Sequence, residues 1–236
     1  MIRVLIAAPL RQDPKIFREY QKGLDSLIIP DGVEVDRFFV VNNCDEVVPE
    51  IRNAEYVVIN TNNSMMYRDH FWTGELISDM SGYRNLTIRK ALEGGYDYLL
   101  SVDTDLVLEP HTLQVLLEAK KDIVAGLFWT NGWSNAWMYD QADGYNPEWE
   151  QPGLYRIGGS GALILIHRRV FEAGVDYTKI KQIRKALIGE DRHFCIRAEC
   201  AGFEIWADSH CLPVHLYREP DYQKFMAGEV QTCFRK

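Results

Sequence analysis

Two carboxylates, Asp103 and Asp105, are the residues whose type and spacing most directly suggest chemistry in this chain. They flank Thr104 and directly follow the apolar run at 98–102, which is typical of a buried strand. Because extended backbone turns side chains two positions apart to the same side, both carboxylates face one point. Oxygen ligands in this arrangement suit a hard divalent cation, and such an ion can bridge the two phosphates of a nucleotide diphosphate.

A second acidic pair, Glu190 and Asp191, opens a predicted helix after Gly189. Asp191 can cap that helix by accepting hydrogen bonds from free backbone N–H groups, or it can act as a base that deprotonates an acceptor hydroxyl. The two roles are compatible. His215 can supply a neutral imidazole as a third metal ligand, although a lone histidine is more often structural.

Three further features have both a binding and a purely structural interpretation. Arg84 precedes the helix predicted at 85–93 and either reaches a phosphate at the ligand edge or is solvated there. The glycine run 158–161 either lets backbone approach a ligand or forms a plain turn. Residues 129–155 are predicted to form a long loop whose rings either stack on sugars or build their own small core. Those rings are Trp129, Trp133, Trp137, Tyr139, Tyr145, Trp149 and Tyr155.

Strand and helix patterns alternate along the chain and must position these residues. Strands are predicted at 4–8, 35–41, 55–60, 98–102, 123–128 and 162–166, and helices at 13–27, 85–93, 113–121 and 191–201. Such alternation predicts a mainly parallel sheet with helices on both faces, where ligands bind at the carboxyl ends of the strands. Polar or irregular residues that follow the first two strands fall at the same edge, namely Pro9, Leu10, Arg11, Asn42 and Asn43.

Composition favours one domain. The chain has 236 residues, of which 47% are hydrophobic, so we expect a single catalytic domain at 1–216 and a polar tail at 217–236 that serves as a mobile lid. A net charge of -8 without a basic cluster argues against nucleic-acid binding. The opening residues resemble a strand rather than a signal peptide, and no apolar run approaches the roughly 20 residues of a transmembrane helix. Five scattered cysteines favour reduced thiols and a cytoplasmic location.

Taken in order, these segments resemble the GT-A fold glycosyltransferases, especially the large family 2 group. The resemblance extends from residue 2 to about residue 216. Its matching pieces are the opening strand at 4–9, residues 41–43, 84–85, 101–105, 159–163 and 189–191, and His215. One departure is that Asn42 and Asn43 stand where the family often has acidic residues.

The resemblance implies an α/β GT-A fold and transfer of a sugar from a UDP- or GDP-sugar donor to a glycan or other hydroxyl acceptor. It implies that Asp103, Asp105 and His215 hold Mn²⁺ or Mg²⁺ on the donor diphosphate. In inverting members the acidic pair supplies the base, so Asp191 is the candidate and Glu190 its neighbour. The expected donor contacts are Pro9, Leu10, Arg11, Asn42, Asn43, Arg84, Asp103, Thr104, Asp105 and Gly159, and the expected acceptor contacts are Trp133, Trp137 and Trp149.

Three alternatives remain open at this point. A haloacid-dehalogenase-like phosphohydrolase also uses two aspartates after an apolar strand, but that motif normally opens the fold. A zinc site could draw on His193, Cys195, Cys200, His210, Cys211 and His215, although no C-x-x-C spacing occurs among them. A non-catalytic sugar-binding module is expected to have lost its carboxylates, whereas both acidic pairs are present here.

Overall fold

The computed structural model describes residues 1–61, 73–138, 151–183 and 189–229. Its strands are β1 (Ile2–Leu10), β2 (Val33–Val41), β3 (Glu55–Val58), β4 (Tyr98–Val102), β5 (Leu106–Val107), β6 (Ile123–Gly126), β7 (Trp129–Thr130), β8 (Trp133–Ser134), β9 (Ala136–Trp137), β10 (Leu154–Ile157), β11 (Gly159–Ser160), β12 (Leu163–His167), β13 (Ile205–Asp208) and β14 (Val214–His215). Its helices are α1 (Pro14–Asp25), α2 (Gly74–Glu93), α3 (Thr112–Glu118), α4 (Arg168–Glu172), α5 (Glu190–Cys200) and α6 (Glu219–Met226), with a 3-10 helix at Asp45–Glu50.

Eight of these strands form one sheet, in the order β10-β13-β6-β12-β4-β1-β2-β3. The neighbours from β3 to β4 are parallel, as are β6 and β13. Strand β12 runs antiparallel between β4 and β6, and β10 is an antiparallel edge strand. One large apolar cluster packs on each face of the sheet. The prediction of an α/β fold with a mainly parallel central sheet and helices on both faces is confirmed.

Helix α1 shows how local sequence signals and packing combine. Asp13 caps the helix, its Oδ1 accepting from the Lys15 amide at 3.0 Å, and Pro14 occupies the first turn. The rings of Phe17 and Tyr20 pack against Phe39 of β2, with centroids 5.6 Å and 6.0 Å away. Because aromatic pairs add about 0.5–1.5 kcal/mol beyond area burial, this contact fixes α1 on the sheet.

The largest differences from the predicted extents lie in helix α2 and in the predicted loop 129–155. Helix α2 begins at Gly74, capped by Thr73, rather than at residue 85; Leu76, Met80 and Tyr83 recur at helical spacing in its first turns, a pattern that the prediction missed. Within the predicted loop 129–155, the chain forms β7, β8, β9 and the start of β10. Strands β7 and β8 join through Asn131 and Gly132, whose φ values of 51° and 86° suit a two-residue hairpin turn. Residues 139–150, including Trp149, lie outside the described residues.

The segment after His215 contains helix α6, which contacts α1 through an ion pair between Glu219 and Lys15. Its predicted role as a lid stays a prediction, as does the division of the chain at residue 216. Over the described ranges, the helices fall short of the length and apolarity that crossing a membrane requires.

Two helical glycines give a matched test of the packing between α1 and β5. A Cβ at Gly23 would lie 2.8 Å from the Leu108 backbone nitrogen, whereas a Cβ at Gly82 in α2 meets nothing within 4 Å. We expect Gly23→Ala to lower the free energy of unfolding by about 1–3 kcal/mol through overpacking. Gly82→Ala should raise it by up to about 1 kcal/mol through helix propensity. Urea unfolding measures both, and equal stabilities would contradict this description of the contact.

Candidate active site

A cavity of about 370 Å³ opens at the carboxyl edge of the sheet. Sequence-predicted residues that line it are Pro9, Leu10, Arg11, Asn42, Asp103, Thr104, Asp105, Trp137, Asp191 and His215. Lining residues beyond the predicted contacts are Gln12, Leu76, Met80, Tyr83, Phe128, Thr130, Asn135, Gly161, Ala162 and Tyr217. The structure thus brings both aspartates of the β4 motif, the candidate base and the candidate histidine ligand to one cavity.

Arg84 lies beneath this cavity and joins the two acidic pairs. Its side chain is only 3% exposed, which excludes the solvated alternative. Its Nη2 contacts Asp103 Oδ1 at 2.9 Å, and its Nε contacts Glu190 Oε1 at 3.1 Å and Asp191 Oδ1 at 3.7 Å. Its Nη1 also donates to the Ser101 hydroxyl at 3.0 Å. One guanidinium therefore holds three carboxylates that come from two separate elements.

Burial and the charges of neighbouring side chains together shift the pKa values of this cluster. Burial lowers the pKa of Arg84, but Asp103, Asp191 and Glu190 outweigh it and hold that pKa well above its usual value. Burial, with repulsion from Glu190, raises the pKa of Asp191 to about 8 despite the opposing effect of Arg84. Burial likewise raises the pKa of Asp103, against Arg84 and with a contribution from Asp105. A bound cation would relieve this repulsion.

His215 is fixed from both sides of its ring. Its Nε2 lies 3.2 Å from Asp105 Oδ2, and its Nδ1 lies 2.8 Å from the Thr130 hydroxyl oxygen. Phe128 packs edge-on against the imidazole, with centroids 4.8 Å apart. Burial lowers the pKa of His215, but the charge and hydrogen bond of Asp105 outweigh it, so the pKa is raised.

Two carboxylates and an imidazole facing one cavity form a donor set that suits a divalent metal ion. Asp103 and Asp105 with His215 therefore fit the predicted ion chemically. Among the residues that the structure describes, no group of three His, Cys, Asp or Glu side chains is arranged to hold a metal ion. The roles of these three residues as ligands stay predictions.

The base candidate Asp191 is not the cap of its helix. Gly189 occupies the cap position, so Glu190 and Asp191 are the first two residues of α5, and the capping alternative is wrong. Gly161 lies directly against Asp191, because a Cβ at position 161 would overlap the Asp191 carboxylate. Gly159, the predicted ligand contact, instead lies beneath the Trp137 ring. The sequence indicates the glycine run 158–161, but it does not indicate that Gly161 is the glycine that faces the cavity.

The remaining predicted contacts divide into cavity residues and residues outside it. Asn42 lines the cavity, and its Nδ2 already donates to the Ile59 carbonyl at 2.8 Å and to Tyr83 Oη at 2.6 Å. Asn43 has a left-handed φ of 45°, and its Oδ1 accepts from the Thr61 amide at 2.8 Å. Trp133 is 53% exposed on the β7–β8 hairpin. The predicted residues that the structure describes outside the cavity lining are Asn43, Arg84, Trp133, Gly159 and Glu190.

The raised pKa of Asp191 predicts an unusual pH dependence of stability. The ordinary pKa of an aspartate is 3.8, and that of Asp191 in the folded protein is about 8. At pH values between these two pKa values, the folded protein retains a proton on Asp191 that the unfolded chain has released. The contribution of Asp191 to the free energy of unfolding therefore falls as pH rises through this window. We expect the Tm of Asp191→Asn, relative to wild type in chelator, to rise from pH 5 to pH 8. Asp31→Asn, in the exposed turn before β2, is the control; a pH-independent difference for Asp191→Asn would contradict the prediction.

No family model matches the chain. A stretch of 54 residues is 46% identical to procollagen-lysine,2-oxoglutarate 5-dioxygenase 1 of Bos taurus. That stretch is 22% of this chain, and the match spans only 7% of the length of the curated relative.

Solved structures show a likeness over most of the chain. S. aureus TarS 1–349 in complex with UDP-GlcNAc has a TM-score of 0.57 at 14% identity, covering 89% of this chain and 58% of that one. GalNAc-T7 with UDP, GalNAc and Mn²⁺ has a TM-score of 0.59 at 10% identity, covering 91% and 44%. Mannosyltransferase PcManGT from Pyrobaculum calidifontis, with GDP-Man and Mn²⁺, has a TM-score of 0.53 at 9% identity, covering 89% and 56%. At these identities the likeness concerns the fold, and it shows that the chain has the GT-A fold of nucleotide-sugar glycosyltransferases.

Proposed function

We propose that this chain is a metal-dependent glycosyltransferase that moves a sugar from a nucleoside diphosphate sugar to an acceptor hydroxyl, with inversion. The observation that carries the proposal is the joint contact of Arg84 with Asp103 and Asp191 beside one cavity. Through this contact, the Arg84 guanidinium holds Asp103, of the candidate metal-binding motif, on one of its nitrogens and Asp191, the candidate base, on another. Transfer of a sugar from a diphosphate needs the metal-binding motif and the base close enough together to act on the same bound donor.

The donor side of the proposal rests on charge and on the fold neighbours. Asp103, Asp105 and His215 would hold the ion, and an imidazole among the ligands favours Mn²⁺ over Mg²⁺. When bound, the ion neutralises the charge that develops on the departing diphosphate. Structures with the same fold contain UDP-GlcNAc, or GDP-Man with Mn²⁺, which supports a UDP- or GDP-sugar donor. Arg11 lines the same cavity and adds a positive charge for the donor.

Asp191 is a better base than its neighbour Glu190. The Glu190 side chain is 4% exposed and bonds to Arg84, whereas the Asp191 side chain is 28% exposed and lines the cavity. Burial raises the pKa of Asp191 to about 8, which makes its ionised form a stronger base than an ordinary carboxylate, and the charge of a bound cation would lower that pKa toward neutral pH. Asp191 takes the proton of the acceptor hydroxyl as the hydroxyl oxygen attacks the sugar, while Glu190 keeps Arg84 and hence the acidic cluster in position.

The acceptor side is proposed from the aromatic hairpin. Trp133 is exposed, and its partner across the hairpin, Thr130, lines the cavity. An exposed indole beside a cavity can stack on the apolar face of a sugar ring, which supports a glycan acceptor. Trp137 lines the cavity, and its ring also packs over Gly159. It therefore has a structural role besides the proposed contact with the acceptor.

The competing functions have less support. A haloacid-dehalogenase-like phosphohydrolase would require a different fold from the GT-A fold found here. A non-catalytic sugar-binding module gives no reason for Arg84 to hold three carboxylates beneath an open cavity.

The metal role predicts that nucleotide binding depends on a divalent ion. We expect calorimetry to show tighter binding of UDP or GDP with Mn²⁺ than with chelator. Asp105→Asn should weaken the Mn²⁺-dependent binding by at least about 10-fold, since it removes a ligand carboxylate. Asp31→Asn, at the opposite edge of the sheet, should bind as wild type does. Equal affinity with Mn²⁺ and with chelator for both nucleotides would reject the metal role.

The base role predicts that Asp191→Asn loses transfer but retains nucleotide binding. Loss of general-base assistance should lower kcat by about 10²–10⁴-fold, while Mn²⁺-dependent nucleotide affinity stays near wild type. Release of UDP or GDP from UDP- and GDP-sugars, in a panel of glycan acceptors, measures the rate. Because Gly189 caps α5, Asn at 191 removes no cap. Near-normal turnover in Asp191→Asn would show that the base lies elsewhere or that configuration is retained.

A further inference from the structure

The Thr130 hydroxyl of the β7–β8 hairpin contacts His215 of the candidate metal site. Thr130 Oγ1 lies 2.8 Å from His215 Nδ1, on the side of the ring away from Asp105. The His215 side chain is 10% exposed, and Phe128 packs against it. The imidazole is therefore held in one orientation, with Nε2 toward Asp105 and Nδ1 toward Thr130.

This arrangement decides which nitrogen of His215 can bind a metal ion. A neutral imidazole has one N–H and one lone pair, and a ligand nitrogen must offer the lone pair. In the metal-free protein, Nε2–H can donate to Asp105 Oδ2 while the Thr130 hydroxyl donates to Nδ1. For Nε2 to bind an ion, the proton must be on Nδ1, where it needs an acceptor. The Thr130 hydroxyl can reverse its role and become that acceptor.

We propose that Thr130 is a positioning residue that holds His215 in the orientation and tautomer that bind the metal ion through Nε2. The inference rests on the metal role in the proposed function, but it adds a residue that neither motif indicates. Metal-ligating histidines usually donate their second N–H to an oxygen, and loss of that oxygen typically costs about 10–100-fold in metal affinity. Since Thr130 pairs with Trp133 in the hairpin, the same bond ties the aromatic hairpin to the metal site.

The test compares one substitution that removes the Thr130 hydroxyl with one that keeps it. Thr130→Val keeps the shape but cannot accept from Nδ1, whereas Thr130→Ser keeps the hydroxyl. Mn²⁺ affinity is measured by electron paramagnetic resonance of free Mn²⁺, at saturating UDP or GDP. We expect Thr130→Val to bind Mn²⁺ about 10–100-fold more weakly and Thr130→Ser to bind close to wild type. Unchanged affinity in Thr130→Val, or an equal loss in Thr130→Ser, would overturn the inference.

A double-mutant cycle with His215→Ala separates this role from a structural one. If Thr130 acts through His215, Thr130→Val should weaken Mn²⁺ binding no further in the His215→Ala background. An undiminished effect there would show that Thr130 supports the fold rather than the histidine. Thermal unfolding in chelator checks that each variant is folded. Absence of Mn²⁺ binding by the wild type would instead overturn the metal role itself, and the inference with it.

Discussion

Arg84 is the interaction on which the geometry of the site depends. It extends from α2 and reaches Asp103 after β4 and both acidic residues at the start of α5. A buried guanidinium must be paired, because removing its partners leaves an uncompensated charge in a low-dielectric interior. The Tyr177 ring lies 5.6 Å from the guanidinium carbon and limits where the side chain can go. A single side chain therefore links the β4 motif directly to the α5 carboxylates.

That dependence has an electrostatic consequence. Burial, with added repulsion from neighbouring carboxylates, raises the pKa values of both Asp103 and Asp191 despite the opposing charge of Arg84. Such a cluster opposes stability in the absence of ligands, and shifts of this kind concentrate at functional sites. A divalent ion would supply the missing positive charge on the cavity side, where Asp105 and His215 also lie. The negative charge that is costly to bury in this cluster is the same property that would attract a divalent ion.

Sequence reasoning finds the parts of this site but not how they join. Strand β4 and the aspartates after it are predictable, because an unbroken apolar run must be buried and its end must reach the sheet edge. Arg84 is recognisable as a candidate, but its bond to Glu190 joins residues 106 positions apart, and no local pattern encodes that meeting. The contact of Thr130 with His215 could not be predicted either, because no hydrophobic periodicity or motif marks this threonine within the aromatic segment. The glycine run is visible, but only the folded chain shows that Gly161, and not Gly159, faces Asp191.

The antiparallel strand β12 explains why a glycine turn lies beside the aspartates at all. In a purely parallel sheet, the residues before a strand lie at the edge opposite the ligand site. Strand β12 is reversed, so that its first residue, Leu163, pairs with Val102, the last residue of β4. The turn before β12 is thereby brought to the carboxyl edge, where the Ala162 carbonyl accepts from the Asp103 amide at 2.7 Å. Gly161 then lies between the β4 motif and Asp191, and only a residue without a Cβ leaves room for that carboxylate. Reversing one strand thus supplies the part of the site that parallel strands alone could not.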